Sequence, residues 1–483
     1  MSGDSQVPIM KSYSSIQKVA TGVRGLDEVL NGGIPKGAVT LFSGGPGSGK
    51  TIMGLEFLLN GANQGKPGIF LSFEEREEAL RSYVKSFGWN IDELLNQNLI
   101  ELISARIPSD AVLSGDFDLR GTLGILHKKA EQINADRIVI DAPDVFLRLL
   151  DDITTERSEF YALHENLLDS EMTTIITVKR KSDNPLHSKY EFMEYMADCV
   201  IQLDQRVFEQ ITTRRLRVIK YRGSAYGRNE YPFCITDQGA WIIPVTRARL
   251  KHRAFGESLS TGVSGLDKIL GGGFRRNSCN LITGSSGTGK TTFACTFTLS
   301  AANSGERVLY IDFEEAWDAL VSCMKSPGID LTRADKSGKL RFISSMPESQ
   351  GVEEHLIQSF RAIEDFQPKH LIVDAISACR RMGSDHAAFD FLLRLIDHCK
   401  QRGITTLLTN LTSAKDPRRE ITGIDLSSVI DTVILLRNIE GRNGYKRELA
   451  ILKSRGRAHS SKIQDFEITD HGIVINGKEG RDE

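Results

Sequence analysis

One internal repeat constrains the fold of this 483-residue chain more than any other feature. The segment GVRGLDEVLNGG at residues 22–33 returns as GVSGLDKILGGG at residues 262–273, which is 240 positions later. Further along, KYRG returns as KSRG and ITDQG returns as ITDHG, each 233 positions later, so one net seven-residue deletion separates the copies. Several such matches in the same order indicate a duplicated domain of roughly 230–240 residues, an ordinary size for an α/β domain.

The repeat divides the chain into four segments. We expect an N-terminal extension over residues 1–14, a first domain over 15–246, a linker over 247–257, and a second domain over 258–483 that ends in a short tail. The linker contains the basic stretch RARLKHR at residues 247–253, between the first ITDQG segment and the second GVSGLD segment. A solvated linker is favoured over a nucleic-acid site for these charges.

Composition and charge exclude several classes of protein. Sixty-one Lys and Arg residues against 63 Asp and Glu residues give a net charge of −2, so no global positive field draws the chain to nucleic acid or anionic lipid. No run approaches the ~18 apolar residues of a membrane helix, and the first residues do not have the pattern of a secretory signal. We therefore expect a cytoplasmic protein without a membrane or nucleic-acid partner. The seven cysteines are scattered without metal-site spacing, which indicates reduced, mostly buried side chains.

Short apolar segments alternate with helix-compatible segments in both halves. The runs AVTLFSG and CNLITG each lead into a glycine-rich loop, and similar runs occur at GIFLSF, RIVIDA and TTIITV in the first half and at VLYIDF, HLIVDA and TTLLTN in the second. Continuous apolar strands separated by helices are typical of a parallel sheet covered on both faces. The sequence therefore predicts an α/β protein with a mostly parallel twisted sheet in each half.

Both glycine-rich loops satisfy the P-loop pattern G-x-x-x-x-G-K-[ST], as GGPGSGKT at residues 44–51 and GSSGTGKT at residues 284–291. Backbone N–H groups of such a loop, and the N-terminus of the helix after it, bind phosphate oxygens. The lysines would contact the β- and γ-phosphates, and the last threonines would bind Mg²⁺. The predicted nucleotide-binding residues are Gly45, Gly47, Ser48, Gly49, Lys50, Thr51 and Ile52, and Ser286, Gly287, Thr288, Gly289, Lys290, Thr291 and Thr292.

Acidic residues at strand ends complete each predicted site. Asp141 and Asp374 close apolar strands, where a carboxylate that binds Mg²⁺ is expected, although an Asp there can also cap a turn. Acidic pairs after strands are usually only solvated, but here one recurs at the same distance from both P-loops, which favours acceptance of a proton from an attacking water or hydroxyl. These predicted catalytic pairs are Glu74 with Glu75, and Glu314 with Glu315. ATP is favoured over GTP because the chain has no N-K-x-D motif.

These motifs together resemble those of the KaiC proteins, tandem RecA-like ATPases that include circadian clock kinases. The resemblance covers nearly the whole chain and rests on the two GV-x-GLD openings, both P-loops, both FEE segments and both K-x-RG…ITD-x-G endings. It implies two RecA-like P-loop NTPase domains, stacked as two rings of a homohexamer with ATP between neighbouring subunits. The residues that it assigns to the adjacent subunit are Lys220, Arg222, Thr236 and Asp237 for the first site, and Lys453 and Arg455 for the second. It also implies nucleotide contacts from Ser86, Tyr221 and Ser454.

The second half carries a feature that the first half lacks. The segment ITGIDLSSVIDTVILL at residues 421–436 lies where the clock kinases have two adjacent phosphorylated hydroxyls. The resemblance implies that Ser427 and Ser428 are phosphoacceptors, and that Glu314 accepts the proton. From the sequence alone, the same serines could instead cap the segment before a buried strand.

Two functional hypotheses follow. The first is an ATP-hydrolysing, autophosphorylating serine/threonine kinase that uses ATP and Mg²⁺ and acts as a signalling or timing hexamer. The alternative is a RecA/RadA-type or helicase-like DNA motor, against which stand the near-neutral charge and the lack of an evident basic, aromatic-bearing loop. The resemblance also allows a KaiB-like partner on the first-domain ring. Only 11 residues follow Gly472, so we expect no dependence on KaiA.

Overall fold

The computed structural model describes residues 16–106, 119–150, 152–180, 191–208, 211–244, 253–412, 426–441 and 444–476. The chain divides into two compact units, of which the first comprises Met1–Val207 and Thr212–Thr246, and the second comprises Phe208–Ile211 and Arg247–Glu483. Within the described ranges, no helix is both long and apolar enough to cross a membrane. All seven cysteines are free and six of them are buried, as the sequence predicts.

A nine-stranded sheet forms the centre of the first unit. The strands of this unit are β1 (Lys18–Val19), β2 (Ile34–Pro35), β3 (Val39–Gly44), β4 (Gly68–Ser72), β5 (Ile100–Ser104), β6 (Arg137–Asp141), β7 (Thr173–Lys179), β8 (Cys199–Phe208), β9 (Ile211–Tyr221), β10 (Glu230–Thr236) and β11 (Gly239–Ile242). The strand order is β11-β10-β9-β8-β3-β7-β6-β4-β5, and β1 pairs with β2 separately. The six strands from β8 to β5 are parallel, whereas β10 pairs antiparallel with both β9 and β11.

Helices connect the parallel strands of the first unit. They are α1 (Leu26–Val29), α2 (Lys50–Ala62), α3 (Glu77–Ser86), α4 (Ile91–Asn96), α5 (Leu119–Ile133), α6 (Asp144–Leu147), α7 (Ile153–Asp169) and α8 (Glu191–Met196).

The second unit repeats this architecture. Its strands are β12 (Ser258–Leu259), β13 (Phe274–Arg275), β14 (Cys279–Gly284), β15 (Val308–Asp312), β16 (Leu340–Ser344), β17 (His370–Asp374), β18 (Thr405–Leu411), β19 (Thr432–Gly441), β20 (Gly444–Ser454), β21 (Gln464–Thr469) and β22 (Gly472–Asn476). The order β16-β15-β17-β18-β14-β19-β20-β21-β22 is that of the first sheet. The strands from β16 to β19 are parallel, and β19 to β22 are antiparallel.

Helices lie between the parallel strands of the second unit as well. They are α9 (Ser264–Ile269), α10 (Lys290–Asn303), α11 (Trp317–Met324), α12 (Thr332–Lys336), α13 (Val352–Phe366) and α14 (Asp385–Arg402), with 3₁₀ turns at Pro347–Ser349, Ile376–Met382 and Leu426–Ser428. The two halves thus form the two tandem RecA-like folds that the sequence predicts, each a mostly parallel sheet with helices on both faces.

Burial on both faces explains the apolar character of the central strands. All six residues of β3 are buried. Successive side chains point to opposite faces, so Phe42 packs in one core with Phe57 of α2, while Leu41 packs in another core with Phe160 of α7. A strand that faces two cores cannot show the apolar–polar alternation of a half-exposed strand.

The strand positions locate the seven-residue difference between the copies. From the end of β5 at Ser104 to the start of β6 at Arg137 the chain advances 33 residues, but from Ser344 to His370 it advances only 26. The difference therefore lies in the crossover between these two strands. Both P-loops lie outside it, since each follows the central strand of its sheet.

Candidate functional site

Each P-loop lies at the carboxyl end of the central strand of its sheet. In the first unit the loop runs from the end of β3 at Gly44 to the start of α2 at Lys50. Gly47 and Gly49 have φ values of 70° and 94°, and this left-handed region favours glycine because a Cβ would be strained there. The second loop repeats the geometry, with φ values of 74° at Gly287 and 97° at Gly289. Both loops thus have the backbone form that directs N–H groups towards a phosphate.

The two P-loop lysines are buried against their own loops. Lys50 Nζ donates to the carbonyl oxygens of Gly44 at 2.9 Å and Gly45 at 2.8 Å. Lys290 Nζ donates to the carbonyl oxygen of Ser285 at 2.9 Å. Burial lowers the pKa of both lysines, and the nearby Asp141 and Asp374 carboxylates oppose this shift. Each lysine ammonium group therefore lies beside the backbone of its P-loop, where it would compensate the negative charge of a bound phosphate.

Asp141 in the first unit is held by two hydroxyl groups. Thr177 Oγ1 donates to Asp141 Oδ1 at 2.6 Å, and Thr51 Oγ1 lies 3.2 Å from the same atom. Burial raises the pKa of Asp141, while these hydrogen bonds lower it. A hydroxyl and a carboxylate at the first turn of the P-loop helix are the hard oxygen ligands that Mg²⁺ prefers. The residues thus fit the metal predicted from the sequence.

Asp374 in the second unit keeps one equivalent partner and gains another, because Thr409 occupies the register position of Thr177 whereas Tyr310 has no hydroxyl counterpart. Tyr310 OH donates to Asp374 Oδ2 at 2.8 Å, and Thr409 Oγ1 donates to Asp374 Oδ1. The residue of the first unit that corresponds to Tyr310 is Phe70, which has no hydroxyl. The second carboxylate therefore accepts an additional buried hydroxyl at Oδ2, although both carboxylates close the corresponding strand.

The acidic pairs follow β4 and β15 in tight turns. In the first unit the N–H groups of Glu74 and Glu75 lie 3.3 Å and 2.9 Å from Ser72 Oγ, and Lys179 forms an ion pair with Glu74. This turn brings the glutamates to the carboxyl edge of the sheet, the edge at which the P-loop lies. The pairing with Lys179 also links β4 to the end of β7, beside β3.

The corresponding turn in the second unit is organised by a carboxylate. Asp312 Oδ1 accepts the N–H groups of Glu314 at 2.8 Å and Glu315 at 2.7 Å. Burial raises the pKa of Asp312 to about 7, and the two N–H groups oppose this shift while Asp374 and Glu315 add to it. A buried, titratable carboxyl thus replaces the neutral hydroxyl of Ser72.

The predicted basic residues lie at the amino-terminal ends of the parallel strands, which form the edge of the sheet opposite to the P-loop. Arg222 N–H donates to the carbonyl oxygen of Asp198 at 2.9 Å, and Asp198 N–H donates to that of Val39, the first residue of β3. Five strand steps of ~3.3 Å place this point about 17 Å from Gly44, which is longer than a side chain. Lys220 Nζ donates to two backbone carbonyls beside it, at Glu194 and Tyr195. Neither residue reaches the P-loop of its own chain.

The same edge of the second sheet carries the predicted acceptor segment. Arg455 Nη2 donates to the carbonyl oxygen of Ser428 at 3.0 Å, and Lys453 Nζ donates to that of Ile430 at 2.6 Å. Asp431, which is 2% exposed, bonds Arg455 and Lys400. Ser428 is exposed, whereas the side chain of Ser427 lies outside the described part of the chain.

The structure separates the four residues that the resemblance assigned together to an adjacent subunit. Thr236 is the last residue of β10 and Asp237 follows it, and the preceding Ile235 lies against Gly49 of the chain's own P-loop. These two residues therefore differ in position from Lys220 and Arg222, because β9 and β10 run in opposite directions. The residues assigned by the resemblance thus divide between the two edges of the sheet.

Two other residues that are predicted to contact the nucleotide, Tyr221 and Ser86, form side-chain hydrogen bonds within the chain. Tyr221 is buried and its hydroxyl donates to the carbonyl oxygen of Gly33 at 2.8 Å, so its side chain is committed to the core. Ser86 Oγ donates to the carbonyl oxygen of Tyr83 at 2.7 Å. Ser454 is the last residue of β20, before Arg455.

Sequence reasoning missed four residues that shape these sites: Thr177, Lys179, Tyr310 and Asp312. The two from the second unit could have been found by comparing the copies, since Tyr310 replaces Phe70 and Asp312 replaces Ser72 beside Asp374. Thr177 could have been found in the same way, because it recurs as Thr409, which also donates to its strand-end aspartate. Lys179 left no such signal, because Leu411 replaces it in the second unit.

Asp312→Asn should make the stability of the protein less dependent on pH. A folded-state pKa of about 7, above the unfolded value of ~3.9, means that the stabilising contribution of Asp312 is present below that unfolded value and is lost as the pH rises through 7. The amide oxygen can still accept both N–H groups. We expect the melting temperature of the variant to exceed that of the wild type by at least about 2–4 °C at pH 8, and by less at pH 5.

Thermal unfolding at several pH values measures this difference. The exposed Asp335→Asn is a matched control that should follow the wild type at every pH. A constant difference between Asp312→Asn and the wild type from pH 5 to pH 8 would contradict the assigned ionisation.

Comparison with known proteins agrees with the site geometry. The family described as "ATPase: KaiC" matches residues 19–247 and again residues 259–480. The "Circadian clock protein KaiC2" of Synechocystis is 36% identical over 465 residues, which cover 95% of this chain and 82% of that protein. The "Circadian clock oscillator protein KaiC" of Prochlorococcus marinus MIT 9313 is 33% identical, covering 96% and 93%, and the KaiC3 protein of Synechocystis is 32% identical, covering 97% and 93%. With both P-loops in RecA-like sheets, the chain belongs to the KaiC family of ATPases.

Proposed function

We propose that this protein is an autophosphorylating serine/threonine kinase of KaiC type that also hydrolyses ATP and acts as a two-ring homohexamer. The KaiC relatives do not favour the alternative of a DNA-dependent motor. In this proposal, residues 15–246 form one ring and residues 258–483 form the other. ATP binds to both P-loops with Mg²⁺, which Thr51 and Asp141 would hold in the first domain and Thr291 and Asp374 in the second.

The observation that carries the proposal is the separation of functions between the two edges of each sheet. The P-loop lysine and the acidic pair lie at the carboxyl edge, while Lys453, Arg455 and the Ser428 backbone lie together at the amino edge. These groups cannot serve the P-loop of their own chain, about 17 Å away along β14. In a ring, however, the amino edge of one subunit can face the carboxyl edge of the next. Because Lys453 and Arg455 bond the backbone of the acceptor segment, this segment would then lie beside the neighbouring P-loop together with them.

The two domains would use ATP differently because their amino edges carry different residues. Glu194 and Tyr195 occupy the positions of Ser427 and Ser428, 233 positions earlier, so the first domain has no aliphatic hydroxyl there. Lys220 donates to the backbone carbonyls of both residues, much as Arg455 donates to that of Ser428. Water is therefore the proposed phosphoryl acceptor in the first domain, with Glu74 and Glu75 as the proton-accepting pair.

In the second domain the proposed acceptor is a serine hydroxyl from the neighbouring subunit. Its oxygen forms a bond to the γ-phosphorus, the bond to the β–γ bridging oxygen breaks, ADP leaves, and Glu314 accepts the hydroxyl proton. Lys290 from one subunit, with Lys453 and Arg455 from the other, would compensate charge on the transferring group.

Relatives named as circadian clock proteins motivate a proposal about partners. We expect a KaiB-like protein to bind the ring formed by the first domain. Phosphoserine at position 428 would add about −1.5 to −2 charges near Asp431, which already bonds Arg455 and Lys400. The acceptor segment could thereby report the phosphorylation state to such a partner through competition for these cations.

Replacing Glu74 and Glu75 with Gln should reduce ATP hydrolysis while sparing phosphorylation. Loss of the proton acceptor should slow first-domain turnover about 100-fold, so the steady-state rate should fall to the contribution of the second domain. Phosphate release measures the first activity and intact-protein mass spectrometry measures the second.

The matched variant is Glu314→Gln with Glu315→Gln, which should show the reverse pattern: weak phosphorylation with most of the hydrolysis retained. An unchanged ATPase rate in the Glu74→Gln, Glu75→Gln protein would show that the proton acceptor is wrongly assigned.

Mixing two inactive variants should restore phosphorylation. A Ser427→Ala, Ser428→Ala chain keeps the ATP site and a Glu314→Gln chain keeps the acceptor, so mixed rings contain competent pairs of neighbours. Peptide mass spectrometry should find phosphate on the Glu314→Gln chain only in the mixture. Adding Arg455→Ala to that acceptor chain should lower the yield of phosphorylated peptide, since Arg455 would come from the same subunit as the acceptor serine.

Light scattering should find each variant in a ring with ATP, as a control for assembly. Phosphate at other residues only, or a fully active monomer, would refute transfer between subunits.

A further inference from the structure

A cavity of about 740 Å³ lies in the first unit, apart from the P-loop. Its lining comes from the middle and end of α2, from the turn between α3 and α4, from α4, and from the turn between β10 and β11. The first α2 residue that lines it, Glu56, is six residues beyond Lys50, about 9 Å along the helix. None of the predicted phosphate-binding residues lines the cavity, although its volume is in the range of small-molecule sites.

The polar groups of this cavity are almost all hydrogen-bond acceptors or amides. Glu56 and Glu93 contribute carboxyl groups, and several Asn and Gln residues contribute amides. Trp89 contributes an aromatic ring that stacks on Phe87 at a centroid distance of 4.8 Å. None of the described residues that line the cavity is Lys, Arg or His. This chemistry suits a small cation with N–H donors, because carboxylates and an indole ring both attract positive charge.

Glu56 has an incomplete set of hydrogen bonds. Its Oε1 accepts the N–H group of Ala240 at 2.9 Å. Its Oε2 is buried and has no hydrogen-bond partner within the described part of the chain. A buried polar atom without a partner costs about 1–3 kcal/mol, so a ligand that donates to Oε2 would remove a penalty that the chain otherwise carries.

The second unit lacks this constellation at the corresponding positions. Thr296 replaces Glu56, Ile329 replaces Trp89, and Arg333 replaces Glu93. The Thr296 hydroxyl donates to the carbonyl oxygen of Thr292 at 2.8 Å, so it has a partner. The second unit therefore has a neutral hydroxyl in place of the first carboxyl and an aliphatic side chain in place of the indole ring. It has a cationic side chain in place of the second carboxyl. The acceptor character of the cavity is therefore a property of the first domain alone.

We propose that this cavity is a binding site for a small organic cation, an aliphatic amine or diamine, whose ammonium group donates to Glu56 Oε2 and lies near Trp89. The second ammonium group of a diamine would find Glu93, whose carboxylate accepts from Asn90 at 2.8 Å and retains further acceptor capacity. Gln238, beside Asp237, also lines the cavity. A bound amine would therefore contact the turn that follows β10, the strand whose Ile235 lies against Gly49 of the P-loop.

The ionisation of Glu56 gives the binding a pH signature. Burial raises the pKa of Glu56 to about 8, and the Ala240 N–H group opposes this shift. The other titratable group that lines the cavity is Glu93. Asp27 lies behind the lining residue Gly22, where it accepts the N–H groups of Thr21 and Gly22. At pH 7 an ammonium ion would convert a protonated Glu56 to carboxylate, so binding should release about one proton and should tighten as the pH rises from 6 to 8.

Calorimetric titration of the full-length protein with putrescine tests the proposal, with ATP and Mg²⁺ held constant. We expect saturable binding and proton release that is detected by repeating the titration in buffers of different ionisation enthalpy. 1,4-Butanediol, which has hydroxyl groups in place of ammonium groups, should not bind. Glu56→Gln should weaken putrescine binding about ten-fold or more and abolish proton release.

Glu78→Gln is the matched control, because it makes the same Glu-to-Gln exchange at an exposed position of α3 outside the cavity. It should bind putrescine like the wild type. The melting temperature of Glu56→Gln should equal or exceed that of the wild type, which would exclude unfolding as the cause of weaker binding. The proposal fails if putrescine does not bind below about 10 mM, if butanediol binds equally, or if both variants bind like the wild type. None of these readouts requires kinase activity.

Discussion

Parallel hydrogen bonding of the central strand determines which residues of each domain meet. Strand β3 lies between β7 and β8, and β14 lies between β18 and β19, with all strands pointing the same way. The P-loop, the strand-end aspartate and the acidic pair therefore converge at one edge, where the chain leaves successive strands. The reversal of direction in β9 and β20 carries the K-x-RG residues back to the other edge. Strand polarity thus divides each domain into a nucleotide edge and a basic edge.

The duplicated sites share this frame but differ in their electrostatics. In the first domain, Asp141 is held by hydroxyl groups and Glu74 is paired with Lys179. In the second domain, Asp374 is bonded by Tyr310, and the adjoining turn contains the buried carboxyl of Asp312. The second site therefore has a buried carboxyl where the first has the neutral hydroxyl of Ser72, and charge interactions are stronger in such a low-dielectric environment. Duplication preserved the backbone geometry while the side chains around it diverged.

Helix α2 connects two regions of the first domain that the sequence alone would treat separately. Its first residue, Lys50, belongs to the P-loop, and its middle residue, Glu56, lines the cavity. Strands β10 and β11 complete this connection, because Ile235 of β10 lies against Gly49 and the N–H group of Ala240 in β11 bonds Glu56. An occupant of the cavity would thus contact elements that also form the nucleotide edge.

The sequence by itself determined the duplication, the α/β class, the order of strands and helices, and both P-loops. These features are local or periodic: a glycine pattern defines a loop, and a continuous apolar run indicates a strand buried on both faces. The acidic pairs could also be predicted from the sequence, since their recurrence in two copies distinguished them from ordinary solvated residues.

Only the tertiary structure decided which of these residues share an edge of the sheet. Lys220 and Thr236 are 16 positions apart in sequence, yet antiparallel pairing of β9 and β10 places them at opposite edges. Thr177 and Lys179 reach the first site from β7, and Glu56 faces a cavity closed by α4 and a distant turn. The physical reason is that strand register and direction depend on hydrogen bonds between distant segments, which no local pattern contains.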